Sequence, residues 1–218
     1  MAVLEGGTSA VLAEVGAVAA SPLHVTGKPA PFGSLGEYAL GVQSGTMAAG
    51  MAANSDVFQA RWTDSTRFAL IWKVQIAGLY QLTAFTAGAA RFRLGFARSW
   101  SADGTGGTAL TLTGDNNQLA ASMGASLFGT IRMATTAALG AGTKTYDTQD
   151  NSDYSKMILA AANTQVIEPS DGILWDAADF RHPIRLAQNE GVTIRATVPA
   201  TGTWVFSVRM IWSEVTAY

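Results

Sequence analysis

From Tyr38 onward the apolar residues of this chain recur at every second position, the period of a strand with one buried face. Phe68, Leu70, Trp72, Val74 and Ile76 alternate with Ala69, Ile71, Lys73 and Gln75. The last row is as regular: Trp204, Phe206, Val208, Met210 and Trp212 alternate with Val205, Ser207, Arg209 and Ile211. Val192, Ile194, Ala196 and Val198 form a third row opposite Thr193, Arg195 and Thr197. Between these two rows Pro199-Ala200-Thr201-Gly202 reads as a hairpin connection, with Thr203 leading into the final strand. Shorter rows stand at Tyr38, Leu40, Val42; at Phe58, Ala60, Trp62; at Phe92, Leu94, Phe96; at Ile131, Met133; and at Ile184, Leu186. These strands follow one another like hairpins and do not alternate with helices. They predict an all-β fold, a jelly-roll-like antiparallel β-sandwich over residues 38–218.

The segment before them differs in kind. Residues 1–37 are rich in Ala, Gly, Ser and Pro, with Pro22, Pro29 and Pro31, and read as an extended N-terminal arm. Within it Ser9 to Ala20 has the apolar spacing of a short helix at Val11, Leu12, Val15 and Val18, which Gly16 weakens. Two further stretches lack a period: residues 99–126, rich in Gly, Thr and Asn, and residues 134–181, long and acidic. Loops of such length are functional, interface-forming or without fixed structure.

Composition narrows the function classes. Only 14% of the 218 residues are charged, against about 25% in ordinary soluble domains, so much of the surface must be neutral, as suits contact with other protein. A formal charge of −2 argues against nucleic acid or an anionic membrane as a partner. There is no cysteine, hence no disulfide framework and no thiolate chemistry. Met1-Ala2-Val3-Leu4-Glu5-Gly6 lacks the basic and apolar regions of a signal peptide, and no apolar run is long enough for a membrane span.

Catalytic constellations are absent by spacing. His24 lies in the arm; His182 has Asp179 nearby, yet no serine sits in a nucleophile elbow. Gly140-Ala141-Gly142-Thr143-Lys144-Thr145 has the outline of a phosphate loop but places Thr143, not glycine, before the lysine. Asp103-Gly104-Thr105-Gly106-Gly107-Thr108 lacks the carboxylates of a calcium loop and reads as a hairpin tip. Asp147, Asp150 and Asp153 recur every third residue, a spacing that could suit a hard cation, but three carboxylates in a polar loop are more often merely solvated and no metal is expected. No enzyme activity and no cofactor are expected. Of the six tryptophans, Trp72, Trp204 and Trp212 fall in core register. Trp62, Trp100 and Trp175 lie at strand ends or in loops, with Trp100 and Trp175 the candidates for a glycan platform.

Charge is segregated along the chain. Val57 to Arg98 holds Arg61, Arg67, Lys73, Arg91, Arg93 and Arg98 against Asp64 alone, whereas Asp147 to Asp179 holds seven acidic residues against Lys156. The expectation is that the acidic stretch packs beside the basic strands, within one subunit or between copies. Interface candidates are Arg91 and Arg93 on one side and Asp147, Asp150, Asp153 and Asp171 on the other.

The stretch His182-Pro183-Ile184-Arg185-Leu186-Ala187-Gln188-Asn189-Glu190-Gly191-Val192-Thr193-Ile194, followed by Thr201-Gly202-Thr203-Trp204, resembles the closing strands of tailed-bacteriophage virion proteins. Gln43-Ser44-Gly45-Thr46, Ala53-Asn54-Ser55 and Gln59-Ala60-Arg61-Trp62-Thr63-Asp64 add to that resemblance. It implies a non-enzymatic virion subunit, foremost a capsid decoration or cement protein assembled in the host bacterial cytoplasm. The expected partners are its own copies, as a homotrimer or larger ring, and the major capsid protein or other virion proteins. The alternative within the same resemblance is a tail or fibre module binding a host receptor or glycan.

Overall fold

The computed structural model describes residues 3–4, 13–14, 36–86, 88–112, 117–119, 123–140, 142–147, 155–160, 172–180 and 182–217. The chain divides into two units, Met1–Pro31 and Phe32–Tyr218. In the first, β1 (Val3–Leu4) pairs antiparallel with β2 (Ala13–Glu14). Ala13 and Glu14 are thus extended where the spacing suggested a helix, in line with the low helix propensity of nearby Gly16 and the β-branched Val11 and Val15.

The second unit contains β3 (Gly36–Gln43), β4 (Ser55–Arg61), β5 (Phe68–Thr83), β6 (Gly88–Trp100), β7 (Thr108–Leu110), β8 (Thr130–Met133) and β9 (Lys144–Tyr146). There follow β10 (Ser155–Ala160), β11 (Ile173–Asp176), the single-turn α1 (Ala177–Phe180), β12 (Ile184–Leu186), β13 (Gly191–Thr197) and β14 (Thr203–Val215). Every row read from the sequence coincides with one of these strands. Among the described residues no helix is long and apolar enough to cross a membrane.

The pairing defines the topology. The first half of the unit folds back on the second in four nested antiparallel pairs, β3 with β14, β4 with β13, β5 with β11, and β6 with β10. Pairing of β14 with β5 and of β13 with β6 then closes two sheets. One runs β3-β14-β5-β11 with β12 alongside β5, and the other β4-β13-β6-β10, extended beyond β4 by β8 and β7 and carrying β9 on β6. A long antiparallel ribbon wound this way is the jelly roll. Two of its eight strands, β10 and β11, lie in the stretch 134–181 that shows no period in the sequence.

The two sheets bury an aromatic-rich core. Trp204, Phe206, Val208, Met210 and Trp212 of β14 all face it, as their alternation predicts. Trp212 stacks on Tyr38 with centroids 5.4 Å apart and meets Phe128 edge-on, and Phe92 packs on Trp204 and Phe206. The β5 row is corrected by β-bulges. Its register with β14 shifts at Trp72, at Ala77 and again at Leu82, and each extra residue reverses the alternation. The core face of β5 is therefore Ala69, Ile71, Val74, Ile76, Leu79 and Gln81. Phe68, Leu70 and Trp72 belong to the other face, where the Trp72 indole, half-buried, donates to Ser213 Oγ at 2.8 Å.

Candidate functional site

The outer face of the seven-stranded sheet carries most of the polar chemistry of the described residues. On β13 and β6, Val192, Ile194, Phe92 and Leu94 point inward, so Thr193, Arg195, Arg91, Arg93 and Gly95 point out. Arg93 stands directly opposite Arg195, and Thr197 opposite Arg91. Burial, then the charges of Arg91 and Arg195, lower the pKa of Arg93. The two basic interface candidates thus form one patch with Arg195, which the sequence had not singled out.

Beside this patch lies a covered polar cluster. Tyr146 of β9 lies over Gly95, where a Cβ would sit 2.9 Å from the ring and 2.9 Å from Thr193 Oγ1. Only glycine leaves room for the phenol there. The Tyr146 hydroxyl donates to Asp56 at 3.2 Å and accepts from Thr193 at 3.2 Å, while the Arg195 guanidinium covers its ring. Burial and the Asp56 charge push the Tyr146 pKa well above that of a free phenol. Asp56 also accepts from Gln59 Nε2 and from Lys144 Nζ, both at 2.9 Å. Lys144 Nζ stands 4.6 Å from the centre of the Trp100 ring. The Gly-Ala-Gly-Thr-Lys stretch, with its phosphate-loop outline, therefore ends on a strand whose lysine is spent on a carboxylate and an indole.

Trp100 and Trp175 are not exposed platforms. Trp100 is 1% exposed and lies against Gly191 and Gly142 on the outer face, outside the inter-sheet core. Trp175 is 4% exposed, packs edge-on against Phe96 across the sandwich, and donates from Nε1 to Ile71 O. Trp62 is fully buried against Phe128. Trp62 and Trp175 are taken up between the sheets and Trp100 is covered on the outer face, so the expectation that they lie free for a ligand is corrected.

The segregated charges do meet within one subunit. Arg98 holds Asp147 through Nε and Nη2 at 2.9–3.1 Å, and Lys73 Nζ holds Asp176 at 2.8 Å. Asp150, Asp153 and Asp171 lie outside the described residues, as does His24. Asp103, in the glycine-rich hairpin tip, accepts from Arg61 and from Thr130. Burial raises its pKa, but those bonds outweigh burial and hold the carboxyl below its ordinary range. His182 is exposed with its Nδ1 3.1 Å from the carbonyl oxygen of Pro183, and Asp179 is exposed on α1.

A second buried carboxylate closes the far end of the sandwich. Glu214, fully buried, accepts from Ser126 Oγ at 2.6 Å, from the Leu127 amide at 3.0 Å and from the Trp212 indole at 3.2 Å. Desolvation outweighs these bonds and raises its pKa. Neighbouring Tyr38, whose hydroxyl donates to Gly124 O, is pushed up to about 12 by burial and by the Glu214 charge. These groups pin residues 124–128 across the ends of β3 and β14.

The outer face of the other sheet is unlike this. Cross-strand rows Gln43–Ser207–Gly78, Gly41–Arg209–Gln75 and Ala39–Ile211–Lys73 make it flat and nearly neutral. Cβ atoms added at Gly41 or Gly78 would meet nothing within 4 Å among the described residues. Tyr80 and Leu82 stand on the same strand, 49% and 47% exposed. No family model, curated protein or solved structure matches this chain.

Proposed function

We propose that this protein is a non-enzymatic structural subunit of a bacteriophage virion, foremost a capsid decoration or cement protein that works by packing against its own copies and the shell. One observation carries the reading. The two faces of the jelly roll are used differently: the charged face is covered by its own loops and ion pairs, whereas the face bearing Gly41, Gly78, Ser207, Tyr80 and Leu82 is flat, nearly neutral and uncovered among the described residues. An exposed neutral face with large apolar side chains suits contact with protein. Association there would favour the folded, docked state and so stiffen a shell. The resemblance of the closing strands points to a virion as the setting. The alternative, glycan recognition by a tail or fibre module, loses its support with the burial of Trp100 and Trp175.

Light scattering after size-exclusion chromatography, over a tenfold concentration range, tests the reading. A stable trimer or larger ring is expected. A persistent monomer that also fails to bind purified shells would overturn it.

A further inference from the structure

Asp56 and Lys144 are held in a geometry that suits a covalent bond as well as an ion pair. Nζ and Oδ2 are 2.9 Å apart, and the two side chains are only 12% and 8% exposed, which is uncommon for either residue type. The Trp100 ring closes one side of the amine at 4.6 Å. The Tyr146 hydroxyl reaches both carboxylate oxygens, at 3.2 and 3.4 Å, and Gln59 Nε2 donates to Oδ2 at 2.9 Å. An amine and a carboxyl group thus share a poorly hydrated site, with donors aimed at the oxygens.

We propose that Lys144 and Asp56 condense into an intramolecular isopeptide bond. A proton passes from the ammonium to Oδ2 across the existing 2.9 Å contact. The free amine attacks Cγ, and the charge that develops on Oδ1 is met by the Tyr146 hydroxyl, a donor already in place. The amine then gives a second proton to the Oδ2 hydroxyl, which departs as water. A carbon–nitrogen bond forms, a carbon–oxygen bond breaks, and no oxidant or further reactant is consumed. The product ties β9 to β4 and closes the chain between them into a ring. In a protein without cysteine, that cross-link would resist reduction and mechanical load.

The test is the intact mass of the purified full-length chain under denaturing conditions, with a tryptic peptide map. The expected result is a mass lower than the sequence value by one water, after allowing for removal of Met1. A branched peptide should join the Asp56 and Lys144 segments, and Lys144→Arg should restore the lost water. A full-mass chain whose Lys144 takes an amine-reactive label after unfolding would overturn the proposal. So would a water loss that persists in Lys144→Arg. Neither readout depends on the variant folding.

Discussion

The inter-sheet core and the covered cluster on the outer face of the seven-stranded sheet are both shielded from solvent, but they are built on opposite principles. Between the sheets, Trp204, Phe206, Trp212 and Phe92 interlock without a formal charge until Glu214 at the margin. On the outer face, a second layer of loop and short strand covers Asp56, Gln59, Lys144, Tyr146, Thr193 and Arg195, which are linked by an ion pair, hydrogen bonds and a cation–π contact. The first arrangement tolerates imperfect geometry because dispersion and burial are non-directional. The second fails when one member goes, because its partner is left charged or unpaired in a site with little water.

Substitutions can separate the two regimes. Trp212→Ala should have the largest effect, a loss of about 3–5 kcal/mol from an emptied aromatic site, read as a lower urea midpoint with an unchanged slope. Asp56→Ala should cost about 3 kcal/mol or more, since it strands a buried ammonium and removes the proposed bond to Lys144, whereas an apolar pair at 56 and 144 should recover the part due to the stranded charge. Recovery is the discriminating outcome, for Trp212→Ala has no such partner to remove. Arg98→Ala breaks an ion pair whose members are 42% and 40% exposed and should cost less than about 1 kcal/mol, fading further in high salt.

Glu214→Gln should have the smallest effect. Oε1 takes the bonds from Ser126, Trp212 and the nearer one from Leu127, so an amide carbonyl in its place keeps all three without a buried charge. The change should be neutral or slightly stabilising at pH 7. The same reasoning fixes a pH dependence. The folded-state pKa of Glu214 is raised above its ordinary 4.5, so the native state binds this proton more tightly than the unfolded chain. Its contribution to stability is complete below 4.5 and is lost as pH rises through the raised value. In Glu214→Gln that increment of the stability–pH curve should be missing.

The core regime was legible in the sequence and the outer layer was not. Rows such as Trp204 to Trp212 and Val192 to Val198 carry their own period, so strand, face and register follow from the chain alone. Trp72 was misplaced because one bulge residue reverses the alternation, and nothing in Phe68 to Ile76 marks where the extra residue falls. The strands β10 and β11 were invisible for a different reason. In each the apolar residues are consecutive, Met157-Ile158-Leu159 and Ile173-Leu174-Trp175, and short edge strands of this kind show no period of two. The outer cluster depends on contacts far apart in sequence: Asp56 sits in an ordinary strand and Lys144 in a Gly/Thr run. Segregation of charge was the one signal that anticipated long-range pairing, and Arg98–Asp147 and Lys73–Asp176 are where it acts.

Copies are proposed to meet through the neutral face and not through the covered polar one. The most direct test is the solution mass of Tyr80→Glu, measured beside its far-ultraviolet circular dichroism. The expected result is a β-sheet spectrum like that of the parent with the mass reduced to a monomer. An undiminished oligomer carrying a glutamate at position 80 would contradict the proposal.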